Sequence, residues 1–186
     1  MPFIDVIQPE EAEGELKKIY DDLVEKRGKL AEVHKIQSLN PESITRHMDL
    51  YMTLLFGKSP LKRYRREMMA VVVSSANNCE YCQLHHGEAL NHYWKDEDKV
   101  ARLREDYREA GLSSADTLLC DLAWDLTVTP SEIAETQVNQ LKQEGFSDRA
   151  ILDATLIISY FNFVNRVVMG LGVDTNPEEI GGYRYE

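Results

Sequence analysis

The sequence predicts an all-α protein, a single-domain helical bundle spanning residues 1–186, on three observations. Apolar side chains recur at helical spacing along most of the chain, and the connections between these segments are short. The one β-branched run, Val71-Val72-Val73, lies inside a segment with good helix boundaries, so no strand is expected. Residues 10 to 27 carry Ala12, Leu16, Ile19, Tyr20 and Leu23 at helical spacing and meet Gly28 at their end. Asn40-Pro41 opens a second helix, because Asn caps and Pro fits a first turn; Ile44, Met48, Tyr51 and Leu55 form its apolar stripe before Gly57. Ser59-Pro60 starts a third, whose stretch from Met68 to Val73 reads as buried on most sides and which runs out at Ser74-Ser75-Ala76-Asn77-Asn78. The two asparagines are a natural break and a cap for the next helix, from about Cys79 to Tyr93. Further helices are expected at 97–109, 114–127, 131–144 and 148–171, separated by Gly111, Thr129-Pro130 and Gly145. From about residue 173 the chain, with Pro177, Gly181-Gly182 and Tyr183, reads as an extended tail free to pack on a neighbour.

Bulk properties narrow the function. A chain of 186 residues buries about two-thirds of its unfolded surface in one core and needs no disulfide staple. Its 21 Lys and Arg against 32 Asp and Glu give a net charge of -11, which repels phosphate backbones and anionic lipid; neither nucleic acid nor membrane is expected as a partner. The basic stretch Lys62-Arg63-Tyr64-Arg65-Arg66 reads as a solvated helix face. Residues 150 to 171 have the length of a membrane span, but Asp153, Asn162, Asn165 and Arg166 within them indicate a buried helix. Met1-Pro2-Phe3-Ile4-Asp5 has no secretory pattern, and the chain's 3 cysteines fit a reducing, cytoplasmic compartment.

In such a compartment a close cysteine pair points to catalysis or metal. Cys79-Glu80-Tyr81-Cys82 is followed four residues later by His86 and preceded at a distance by Glu67. On a helix Cys79 and Cys82 are about 60° apart and Cys82 and His86 about 40°, so two thiols and an imidazole share one face. The N–H groups of a first helical turn favour thiolate, so a reactive sulfur is expected there. His86 is placed to take a proton from Cys82 and return it to the oxygen leaving a broken O–O bond, with Glu67 folding back to orient it or to pass a proton through water. A zinc site of Cys79, Cys82 and His86 or His85 remains an alternative, although no second ligand pair accompanies it. Gln83 directly after the second cysteine excludes c-type haem attachment.

The pattern Glu67, Cys79, Tyr81, Cys82, His86 and Leu90 resembles the alkylhydroperoxidase D-like branch of the carboxymuconolactone decarboxylase superfamily, and within it the peroxidase-related group. Gly145-Phe146-Ser147-Asp148, the run from Tyr160 to Arg166 and Leu171-Gly172-Val173 extend the likeness to roughly residues 5 to 175. The resemblance implies an all-α homo-oligomer that reduces hydroperoxides without metal or organic cofactor. It implies attack on peroxide by Cys82, disulfide closure by Cys79, a proton relay through Glu67 and His86, and re-reduction by an external dithiol. Tyr81 stands where well-known members have a histidine, and a phenol titrating near 10 is a weaker shuttle near neutrality. Two other functions compete: a lactone decarboxylase, as the superfamily name suggests, and a redox-sensing or zinc-binding module without turnover.

The remaining candidates read as structural. His85 points about 100° from His86 and is expected at the surface or an interface; His34, His47 and His92 have no partner pattern and are expected to be exposed or capping. Cys120 lies on an apolar stripe and reads as a small core hydrophobe, and Trp94 and Trp124 read as packing residues. Asn162, Asn165 and Arg166 are expected to form a hydrogen-bond network or a subunit contact.

Overall fold

The structure, a computed structural model, describes residues 1 to 184. Among these it contains ten α-helices and no strand: α1 Gly14–Arg27, α2 Glu32–Lys35, α3 Pro41–Tyr51, α4 Arg63–Ala76, α5 Glu80–Trp94, α6 Glu97–Glu105, α7 Ser114–Val128, α8 Glu135–Gln143, α9 Asp148–Gly170 and α10 Pro177–Ile180. Short 3₁₀ turns at Tyr107–Glu109 and Pro130–Glu132 finish or begin segments that the sequence reads as continuous helix.

Local chemistry sets most of the boundaries. Gly28 ends α1 in the left-handed region at φ 86, which costs a residue without Cβ nothing. The side chains of Asn40, Asp96, Ser113 and Ser147 accept the otherwise orphaned N–H groups at the starts of α3, α6, α7 and α9. Two boundaries differ from expectation. α4 begins at Arg63 rather than at Ser59-Pro60, because the Ser59 hydroxyl accepts the Leu61 N–H and holds that turn outside the helix. α3 continues past Tyr51 as a π-helical turn, Met52–Phe56, whose carbonyls need partners from elsewhere.

Those partners come from the basic stretch, which is therefore not a solvated face. Arg66 is buried and donates to the carbonyls of Leu54, Leu55, Gly57 and Leu61 at 2.9 to 3.2 Å. Arg63 donates to Leu55 O at 2.7 Å and stacks 3.8 Å over the Phe56 ring. Arg65 pairs with Asp116 at 2.6 Å. Wide-turn carbonyls that face the core have no water to bind, and guanidinium groups supply several donors each.

α4 is the central helix, flanked by α5, α7 and α9. Met68 to Val73 are wholly enclosed, and burying each large apolar side chain contributes on the order of 1.5 to 3 kcal/mol. α9 is long and apolar enough to cross a bilayer, yet its Ile157, Ile158, Phe161, Val164 and Val168 are buried within the bundle. Cys120, Trp94 and Trp124 pack in or against the core as expected.

The chain after α9 departs most from expectation. It folds back on its own helices instead of running extended. Lys29 Nζ donates to the carbonyls of Glu178 and Gly181 at 2.8 and 2.6 Å, Glu179 accepts the Glu32 N–H at 2.7 Å, and Arg184 N–H bonds Arg27 O at 3.2 Å.

Candidate active site

The turn between α4 and α5 puts the cysteine pair in place. Asn78 adopts φ 57, a left-handed conformation that Asn tolerates better than most residues. The N-cap position falls to Cys79 rather than to an asparagine, and its own N–H bonds Ser74 O at 2.8 Å. Asn77 is used instead in a buried polar network: its amide donates to Asn162 and Asn165 at 3.1 and 3.0 Å. Asn165 donates on to Ser74 Oγ, Asn162 to Thr127 Oγ1, and Arg166 to Asn162. The expected network of Asn162, Asn165 and Arg166 is therefore present, and it backs the dithiol, since Asn165 also bonds Cys82.

Cys79 and Cys82 lie 3.5 Å apart, and both are free thiols. A hydrogen bond from Cys82 holds Cys79 below its ordinary pKa against the opposing effect of burial, and the Cys82 N–H adds to it. The same bond, burial and repulsion from Cys79 push Cys82 well up. The helix-start argument thus applies to one sulfur of the two: at rest the negative charge is favoured on Cys79. Only Cys82 lines the adjoining cavity, whose free space is about 80 Å³, room for roughly six waters.

His86 lines the same cavity one turn beyond Cys82. Its Nδ1 lies 2.7 Å from Oε2 of Glu67, and a carboxylate only accepts, so Nδ1 carries the proton and Nε2 is left for the cavity. The ring is braced edge-on by Phe161 at 4.4 Å. Glu67 has no exposed surface. Burial alone would push its carboxyl up, but His86, Arg63, which donates to its other oxygen, and Arg27 outweigh that and hold it below its usual range.

Tyr81 is also brought to the cavity, but its proton is committed elsewhere. The phenol donates to Glu179 Oε1 at 2.7 Å and accepts from the Val33 N–H at 3.3 Å. Burial and then Glu179 raise its pKa well above the ordinary value. Among the described residues no group of three or more His, Cys, Asp or Glu side chains has the geometry to hold a metal ion.

Three histidines expected at the surface or in caps turn out to be cavity residues. His85 stacks on Tyr81 at 4.3 Å, and burial lowers its pKa to about 3. His47 is buried, with burial taking its pKa to about 4, and His34, 5.4 Å from it ring to ring, is lowered to about 3 by burial, His47 and Arg27. The Gln37 amide nitrogen donates to Val33 O at 2.7 Å and meets His47 Nδ1 at 2.8 Å. A carbonyl cannot donate, so that atom is nitrogen, Nδ1 accepts, and Nε2–H donates to the Tyr160 hydroxyl at 2.6 Å. Arg27, Lys29, Tyr51 and Tyr160 complete the wall, none of them marked by spacing to the cysteines. One signal existed: His47 sits three residues after Ile44 and four before Tyr51, on the stripe of α3 that faces inward.

The carboxymuconolactone decarboxylase family model matches residues 41–115, which include the whole dithiol turn. The structure is similar to that of a peroxidase-related protein from Silicibacter sp. TM1040, with 33% identity, a TM-score of 0.84 and coverage of 98% of this chain and 93% of that one. It is also similar to an alkylhydroperoxidase AhpD core protein, peroxidase-related, from Ralstonia eutropha JMP134, at 22% identity, TM-score 0.87 and coverage of 96% and 94%. The debrominase Bmp8 shares the fold at 18% identity and TM-score 0.78, covering 96% of this chain and 98% of its own. Protein YdfG of Bacillus subtilis is 24% identical over 132 residues, 71% of this chain and 88% of its own length.

Proposed function

Since the chain belongs to the alkylhydroperoxidase D-like and carboxymuconolactone decarboxylase superfamily, we propose that it is a thiol-dependent peroxidase that reduces small hydroperoxides through Cys82 and Cys79. The observation that carries the reading is the pairing of a cavity-facing Cys82 with a second sulfur 3.5 Å behind it and a Glu67-held imidazole beside it. In the cycle, the Cys82 proton passes to Cys79 across their hydrogen bond. The Cys82 thiolate attacks the terminal oxygen of ROOH; an S–O bond forms, the O–O bond breaks, and RO⁻ leaves as ROH with a proton that Nε2 of His86 relays from solvent. Cys79 then attacks the Cys82 sulfenic acid, the S–O bond breaks, and hydroxide leaves as water with the Cys79 proton, giving the disulfide. An external dithiol returns two electrons and two protons. Tyr81 has no step in this cycle; it anchors the tail. A cytoplasmic location and a homo-oligomeric assembly belong to the same proposal.

Mass spectrometry after substoichiometric peroxide tests it. Cys79 and Cys82 should become linked while Cys120 stays reduced, and Cys82→Ser should lose reductant-dependent peroxide consumption altogether. Wild-type turnover in that variant overturns the mechanism, and turnover of a lactone that survives thiol alkylation would move the function to decarboxylation.

A further inference from the structure

We infer that the substrate of this cavity carries a carboxylate, which seats on the Arg27 guanidinium while its reactive part meets Cys82. The inference rests on the peroxidase reading only for the chemistry at Cys82; the recognition of an anion stands on Arg27 itself.

Arg27 is 8% exposed, and a guanidinium keeps its charge at any ordinary pH. Buried charges need partners, and the fold treats its neighbouring arginines accordingly. Arg63 has Glu67 and a carbonyl, and Arg66 has four carbonyls. Arg27 has one side-chain hydrogen bond, to the Tyr51 hydroxyl at 3.3 Å, beside two aromatic rings, and no described carboxylate within ion-pair distance. Arg27 lines the cavity that holds Cys82.

The wall around it has the matching character. Four histidines and four tyrosines line the cavity together with two permanent cations, Arg27 and Lys29, and among the described residues no Asp or Glu lines it. Of the nearby carboxylates, Glu67 lies behind His86 with both oxygens bonded, and Glu179 accepts from Tyr81, Tyr183 and the Glu32 N–H at Oε1 while its Oε2 is buried without a partner. Such a wall in a chain of net charge -11 is a local reversal of sign.

Geometry selects the class of anion. The Tyr51 and Phe56 rings stand 5.4 and 4.7 Å from the Arg27 Cζ and 5.7 Å from each other, so both lie to one side of the guanidinium and leave the other side clear. An edge with parallel N–H donors fits a carboxylate bidentately. A place at the end of α1 gives Arg27 some favourable interaction with that helix's carbonyls, but helix-end charges do their work in solvent and need no burial. A hydroperoxide of an organic acid meets both ends of the site, with its carboxylate at Arg27 and its O–O bond at Cys82.

Alkylation of Cys82 tests this without peroxide. Iodoacetate and iodoacetamide form the same thioether bond with loss of iodide, and differ in charge. We expect Arg27→Gln to lower the iodoacetate-to-iodoacetamide rate ratio at Cys82, read by peptide mass spectrometry, by about tenfold, the value of one charge-assisted hydrogen bond. In the wild-type protein, millimolar butyrate should slow iodoacetamide at Cys82 while butyramide does not, a readout independent of how the variant folds. A ratio unmoved by Arg27→Gln, or equal effects of butyrate and butyramide, overturns the inference. If instead peroxide fails to oxidise Cys82 while the butyrate protection holds, the peroxidase reading falls and the carboxylate site remains.

Discussion

Burial forces the histidines beneath the cavity to stay neutral, and that requirement makes the fold acid-sensitive. His47 drops from an ordinary 6.5 to about 4, so between these values the unfolded chain binds a proton that the folded chain does not. The stability contributed is complete above pH 6.5 and is lost as pH falls toward 4, on the order of 3 kcal/mol for this residue; His34 and His85, lowered to about 3, act in the same direction. Urea midpoints measured from pH 7 down to pH 4.5 should fall steadily, and His47→Gln should flatten the curve in that window. An equally steep fall in the variant would assign the acid sensitivity elsewhere. At this scale the sequence revealed the residues that are near one another along the chain. Cys79, Cys82 and His86 share the opening of one helix, and Glu67 lies on the helix before it. Arg27, His47 and Tyr160 come from helices far apart in sequence, and a contact such as His47 to Tyr160, 113 positions away, leaves no periodic trace.

Elements were legible where a cap or a stripe announced them. The sequence placed α1, α3, α5, α7 and α9 to within a few residues through Gly28, Asn40, the dithiol turn, Gly111 and Gly145. It missed α2 and α10, which are four residues each, too short to show a period. α10 is the more consequential, because its Glu179 joins the tail to Tyr81, one of the two residues between the cysteines. Burial raises the Glu179 pKa, so the tail's attachment through this group is firm in mild acid and weakens as pH rises through that raised value. Removal of residues 174–186 should leave the helical circular dichroism intact and speed iodoacetamide labelling of Cys82 several-fold. An unchanged rate would mean that the tail does not govern entry to the cavity.

For the whole molecule, α9 presents two apolar faces, one inward and one outward, from one length of chain. Its inner face is core, while Leu152, Leu156 and Phe163 are exposed at 53%, 42% and 48% and fall within about 40° of one another around the helix axis. In the proposed assembly this stripe is where a second copy docks, covering apolar surface that a monomer would leave in water. Light scattering at micromolar concentration should report an oligomer, and Leu152→Lys with Leu156→Lys should return a monomer; a monomeric wild-type protein refutes the assembly. The near-complete enclosure of the two sulfurs, 1% and 2% exposed, also bears on which reductants can finish turnover. In the proposed cycle the reductant has to come to Cys82 through the cavity, and a slim dithiol is expected to restore the thiols faster than a bulky protein donor does.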